Sequence, residues 1–173
     1  MKQNQNDHVP ADHEKEEERL CCCQSGAAYK DCCKPFHAGR HNPATAEALM
    51  RSRYSAYVLH LVDYIVSTTV PAQQCLLNKA EIGQWSRDTH WLGLKVHHHR
   101  SVGKRHAQVA FTAYFRDSAG HEQQHQELSA FVNIDEKWYF IDPSVRLPTM
   151  KQPCLCGSGK KFKLCCGQFL RFK

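Results

Sequence analysis

The sequence predicts an α+β fold, with helices packed on one face of a curved antiparallel sheet and a small cysteine-rich module at either end. Two observations carry this prediction. Apolar residues recur with helical spacing up to Asp88 and alternate with period two after it. Nine of the 10 cysteines fall in two short segments, 21–33 and 154–166, with only Cys75 between them.

Asn42-Pro43 and Thr45 offer start signals for a helix over 42–61, in which Ala46, Leu49, Met50, Tyr54, Tyr57, Val58 and Leu61 follow helical spacing. Leu61–Val70 reads as a second short helix, ended by Pro71. Asn78 with Glu81 three residues on resembles a capping pair, opening a third helix that turns Ile82 and Trp85 inward. A strand over His90–His99 places Leu92, Leu94, Val96 and His98 on one face. His106–Arg116 alternates Val109, Phe111, Ala113 and Phe115 against Ala110, Thr112 and Tyr114. Glu127–Ile134 groups Leu128, Ala130, Val132 and Ile134, and Trp138–Asp142 follows an Asp135-Glu136-Lys137 turn. Helices on one face of such a sheet leave a concave pocket between the two layers.

Composition narrows the class. A chain of 173 residues suits one domain of roughly 100 residues with appendages, or two small units. With 42% hydrophobic and 23% charged residues, a packed core is feasible. No apolar run approaches the roughly 20 residues needed to span a bilayer. Residues 1–20 lack the apolar core of a signal peptide, so a cytoplasmic location is expected. A reducing compartment argues against a disulfide framework.

Charge and cysteine content divide the chain further. Residues 1–20, with three basic and six acidic side chains, are expected to form a flexible acidic tail. A first module spans 21–41, the body 42–150, and a second module 151–173, the last holding six basic residues and no acid. Aligning CCCQSGAAYKDCC (21–33) on CLCGSGKKFKLCC (154–166) gives 7 identities in 13 positions, and both read C-x-C-x8-C-C. One small module is used twice.

Four thiolates in a tetrahedron suit Zn²⁺. The expected ligands are Cys21, Cys23, Cys32 and Cys33 in the first module, and Cys154, Cys156, Cys165 and Cys166 in the second. Cys22 stands as an alternative to Cys23. Fe²⁺ in the same thiolate cage is a possible occupant instead, whereas the common iron–sulfur spacings are absent. Filled sites would lower the net charge of +6 but leave the C-terminal tip basic. Lys160, Lys161 and Lys163 are therefore candidate contacts for an acidic partner.

The stretch Pro153-Cys154-Leu155-Cys156-Gly157-Ser158-Gly159-Lys160-Lys161-Phe162-Lys163-Leu164-Cys165-Cys166-Gly167 closely resembles the SEC-C motif, the zinc-binding tail of the SecA translocation motor. The whole order resembles the bacterial YchJ-like proteins. It runs from a first motif through Thr45–Tyr57, Trp91-Leu92-Gly93-Leu94 and Trp138-Tyr139-Phe140-Ile141-Asp142 to a second motif. That resemblance implies a central domain similar to the nuclear transport factor 2-like cone, and metal binding through the four cysteines of each motif. By analogy with the SecA tail, it implies a chaperone or ribosome as protein partner. Both copies depart from the motif: Cys22 and Leu155 stand where proline is usual, and Gln24 replaces the first glycine. A left-handed backbone at Gln24 would cost about 1 kcal/mol.

Other residues invite chemistry. The cone-shaped pocket offers Arg53, Tyr54, Tyr57, His90, Tyr114 and Asp142, a set compatible with small-molecule binding or an isomerase or dehydratase reaction. Fold alone confers no reaction, and a structural ion pair between Arg53 and a carboxylate such as Asp142 is the plainer reading. No nucleophile elbow, phosphate loop or H-E-x-x-H occurs. His97-His98-His99 reads as a polar strand end, since alternate residues diverge, and Cys75 as a core or surface thiol. Phe162, Phe169 and Phe172 among lysines suggest an alternative, RNA or ribosome binding by stacking and phosphate contacts.

Overall fold

A computed structural model describes residues 19–170 of the chain. The expected acidic tail, 1–20, lies almost wholly outside the described residues, as do Arg171, Phe172 and Lys173.

Among the described residues, five α-helices precede a four-stranded sheet: α1 Lys34–His37, α2 Ala46–Val58, α3 Val62–Ser67, α4 Pro71–Gln74 and α5 Lys79–Asp88. The strands are β1 His90–Gly103, β2 His106–Arg116, β3 Glu122–Ile134 and β4 Lys137–Ile141, an antiparallel meander in the order β1-β2-β3-β4. No helix among the described residues is long and apolar enough to cross a membrane.

Local chemistry accounts for the boundaries. Thr45 caps α2 by accepting the Ala48 N–H, and Asn78 caps α5 by accepting the N–H groups of Ala80 and Glu81. The helix expected over 42–61 is thus shorter at both ends, and His60, at φ 59, breaks it from α3. Pro71 opens the additional short helix α4.

Two expectations about facing are corrected. Trp85 is 45% exposed, because Gly83 and Ser86 take the buried face of α5. In β1 the register shifts between Trp91 and Gly93 and between Val96 and His98. Each bulge adds a residue and flips the alternation, so Leu92 and His98 face outward rather than sharing a face with Leu94.

The sheet is covered on both faces. One face packs Leu94, Val109, Ala113 and Phe131 against Ala46, Leu49, Met50 and Tyr54 of α2. The other packs Ala130, Val132 and Ile141 against Val70 and the C-terminal module, including Phe162 and Leu170. Leu128, Ala130, Val132 and Ile134 do share a strand face, yet the helices do not cover it. β3 also begins at Glu122, five residues before the expected start, because a polar run (Glu122–Gln126) pairs with β2 through Arg116–Thr112.

Candidate metal centres

Each end module bends its chain the same way. An isolated bridge joins Leu20 to Ala28 in the first and Pro153 to Lys161 in the second, positions equivalent in the repeat. A single 3₁₀ turn follows, Tyr29–Asp31 or Phe162–Leu164, and delivers the adjacent cysteine pair. Two left-handed residues shape each C-x-C turn: Gln24 (φ 58) and Gly26 (φ 83), matched by Gly157 (φ 73) and Gly159 (φ 72).

The sulfurs of Cys21, Cys23, Cys32 and Cys33 all lie within 4.8 Å of one another, as do those of Cys154, Cys156, Cys165 and Cys166. Measured pairs are 3.5 Å for Cys23–Cys32, 3.8 Å for Cys32–Cys33, and 3.6 Å for both Cys154–Cys156 and Cys156–Cys165. Four sulfurs about 2.3 Å from a central Zn²⁺ form a tetrahedron with edges of about 3.8 Å. The quartets fit that figure and are far from the roughly 2 Å of a disulfide. Both four-cysteine clusters are therefore capable of binding a metal ion. Cys22 stays outside, its sulfur 3.1 Å from Ser55 Oγ, and Cys75 is exposed.

Electrostatics favour a cation at each centre. Hydrogen bonds from Cys166 and Cys156 outweigh burial and push the Cys154 thiol down to about 4. Cys166 is pushed up, by its hydrogen bond to Cys154, by burial and by repulsion from the other sulfurs. The same opposition divides Cys21, pushed down by Cys22, from Cys33, pushed up by Cys21. Thiols this close hold one negative charge well, through their neighbours' hydrogen bonds, but not four, unless a cation replaces the protons.

Polar contacts outside the quartets orient the sulfurs. Ser158 Oγ donates to Cys165 at 3.4 Å, and Ser25 Oγ stands 3.2 Å from Cys32 in the matching place. The body supplies more to the C-terminal centre: Arg105 Nη2 donates to Cys156 at 3.6 Å, and His106 Nε2 lies 3.3 Å from Cys166 Sγ. Phe162 is fully buried beneath this centre, and a side chain at Gly167 would press within 2.9 Å of its carbonyl.

The N-terminal module is held by the body differently. Arg51 Nη1 donates to the Cys23 carbonyl at 3.0 Å, and Tyr29 Oη donates to His37, whose Nε2–H reaches the Ser52 carbonyl at 2.9 Å. Gln24 uses its left-handed position to aim its amide at the β1 bulge, where Oε1 accepts the Leu94 N–H at 3.1 Å. A Cβ on Gly93 would meet Gln24 Nε2 at 2.7 Å and push that amide aside. A contact of about 1 kcal/mol thus offsets the left-handed strain.

The basic residues separate into two groups. Lys160 lines a cleft of about 400 Å³ with Lys104, Arg105 and His106, while Lys161 and Lys163 are exposed beside it. Of the aromatic residues among them, Phe162 is inside the core and Phe169 lies on the His106 ring at 4.6 Å between centroids, while Phe172 lies outside the described residues.

Between α2, α5 and the sheet is a cavity of about 140 Å³. Of the expected pocket residues, Arg53, Tyr54 and Tyr57 line it. His90, Tyr114 and Asp142 do not. His90 is exposed at the start of β1, Tyr114 is 37% exposed, and Asp142 Oδ1 accepts from Ser144 N–H and Oγ–H. Arg53 makes no ion pair with Asp142. Its Nη1 donates to the Ile65 carbonyl, Thr68 Oγ1 and Thr69 Oγ1, and the guanidinium sits 4.5 Å from the Phe140 ring centroid.

Sequence reasoning missed His125, Glu127 and Ser129, which line the cavity from β3, and Trp85 and Trp91, which wall it. The signal was present: with Leu128 and Ala130 on one face, period two puts Glu127, Ser129 and Phe131 on the other. His97 and His99 bond apart, the first to Thr112 Oγ1 at 2.8 Å and the second within 4.0 Å of Glu47.

Comparison with known proteins agrees with this architecture. Residues 45–143 match the model of the YchJ middle NTF2-like domain, and residues 150–168 match the SEC-C motif. A UPF0225 protein of Actinobacillus succinogenes is 55% identical over 152 residues, covering 87% of this chain and 98% of its own. One from Haemophilus influenzae strain PittEE is 56% identical over 150 residues, covering 87% and 93%. The crystal structure of a SEC-C motif-containing protein from Psychrobacter arcticus superposes with a TM-score of 0.83 at 46% identity, over 90% of this chain and 99% of that one. A solution structure of such a protein from Rhodopseudomonas palustris gives 0.67 at 40%, over 70% and 94%. With its middle domain and most of its length so matched, the chain belongs to the YchJ-like UPF0225 family.

Proposed function

We propose that this protein is a zinc-binding adaptor that contacts an acidic protein surface in the cytoplasm. Zn²⁺ sits on Cys21, Cys23, Cys32 and Cys33 and on Cys154, Cys156, Cys165 and Cys166. The carrying observation is the pair of sulfur quartets with near-tetrahedral edges. Elemental analysis of freshly purified protein tests it: two zinc ions per chain are expected, one iron per site assigns Fe²⁺ instead, and less than one metal per two chains refutes both.

The interactive role rests on charge placement. Lys104, Arg105 and Lys160 rim one cleft beside the C-terminal centre, with Lys161 and Lys163 outside it. A chaperone or ribosomal protein of the kind implied by the SecA tail would present the complementary acidic face. The burial of Phe162 favours a protein over a single-stranded nucleic acid, whose bases need exposed aromatic faces. Capture from lysate at low salt, lost on raising salt and lost in a Lys104→Glu/Lys160→Glu variant, is expected. Capture that ignores both changes, or that nuclease treatment abolishes, refutes the protein-contact reading.

A further inference from the structure

The cavity between α2, α5 and the sheet holds charged groups that the metal centres do not use. Arg53 is only 7% exposed and forms no ion pair among the described residues. All three of its hydrogen bonds come from Nη1. Among the described residues no buried side-chain nitrogen lacks a partner, so Nε and Nη2 reach accessible space, and this cavity is the space Arg53 borders. A guanidinium held this way is aimed at an acceptor that the chain does not provide.

Across the same cavity stands Glu127. It accepts from Ser129 Oγ on one oxygen and lies 2.8 Å from His125 Nε2 on the other, and each oxygen keeps a further lone pair. Burial alone would raise its pKa, but the bonds to His125 and Ser129 outweigh that and hold it below the usual value. The site thus carries one positive and one negative group that do not touch. Lining the same cavity, Trp85 and Trp91 meet edge to face at 4.9 Å and Tyr57 meets Trp85 at 5.2 Å. Such ring walls attract cationic nitrogen.

We propose that this cavity binds a small zwitterion, an amino acid or betaine whose carboxylate pairs with Arg53 and whose ammonium faces Glu127 and the tryptophan rings. The volume of about 140 Å³ sets the scale, since a cavity of about 150 Å³ holds benzene and so about six to ten non-hydrogen atoms fit. A pure anion would meet Glu127, and a pure cation would meet Arg53. Only a molecule with the opposite dipole satisfies both.

The test uses the full-length, metal-replete protein and isosteric probes. The standard amino acids and glycine betaine are titrated to about 10 mM while the indole N–H signals of Trp85 and Trp91 are followed by NMR. Leucine, 4-methylpentanoate and 3-methylbutylamine form a zwitterion, anion and cation set of similar shape. At least one zwitterion is expected to shift the indole signals and to bind at least tenfold more tightly than its anionic and cationic isosteres. Glu127→Gln should abolish the preference over the anionic isostere while leaving that over the cation, which Arg53 still repels, and Trp85→Leu, at a ring 45% exposed, should weaken zwitterion binding at least tenfold. Equal binding of an isostere, or no shift with any zwitterion in the panel, overturns the proposal.

Discussion

Truncating Phe162 probes how far the C-terminal centre depends on the body. Its ring is fully buried and belongs to the cluster that joins Ala130, Val132 and Ile141 of the sheet to the four cysteines. A ring of this kind removes about 150–250 Å² from water, or about 4–6 kcal/mol at 25 cal/mol per Å². Partial collapse of the site brings the expected cost of Phe162→Ala to about 3–5 kcal/mol. The equivalent residue in the other module, Tyr29, is only half-buried and belongs to a separate small cluster. Tyr29→Ala is expected to cost about 1–2 kcal/mol, mainly through the lost hydrogen bond to His37. Urea unfolding of the zinc-loaded proteins measures both, and transfer of zinc to a chromogenic chelator should accelerate more for Phe162→Ala. If the two substitutions cost the same, or Phe162→Ala costs less than about 1 kcal/mol, the C-terminal module is not part of the sheet's core and the packing argument fails.

Three further outcomes are expected. Stripping metal should raise amide exchange in 153–168 and also at Val132 and Ile141, which that module covers; exchange confined to the module would contradict the shared core. Gly93→Ala should destabilise by about 1–2 kcal/mol, because the added Cβ meets Gln24 Nε2 and displaces the bond to Leu94, and adding Gln24→Gly should recover most of the loss in urea unfolding. Glu127, held below its ordinary pKa by His125 and Ser129 despite burial, contributes stability that is complete above the unfolded value of about 4.3 and declines as pH falls through the lower folded value. Denaturation curves from pH 6 to pH 2.5 should show that acid loss reduced in Glu127→Gln; an unchanged profile would remove Glu127 from the account.

Much of the chemistry is legible in the amino-acid sequence. Ligand spacing is local, and C-x-C-x8-C-C written twice with glycines at the turns marks two centres because residues so near in the chain have few ways to meet. The caps at Thr45 and Asn78, and the alternation in β2, were equally legible, since each depends on neighbours within a few residues. The failures share a different cause. Leu92 and His98 turned outward because bulges reset a strand's phase, and Arg53 chose carbonyl and hydroxyl partners on α3 and the segment after it over Asp142. Both outcomes hang on tertiary contacts between separate elements, β1 with β2 and α2 with α3, rather than on neighbours within a few residues.

What the residues determined unaided was therefore the inventory: two thiolate cages, a helical layer before a sheet, and a basic tip. Which surfaces those parts cover was settled by packing. The β3 stripe of Leu128, Ala130, Val132 and Ile134 announces a buried face but not its cover, and the C-terminal module takes that place while α2 takes the opposite one. The cavity residues Glu127 and Arg53 lie 74 positions apart. They come to share one small space because α2 packs on the face of β3 that carries Phe131, a contact between layers that no local pattern encodes.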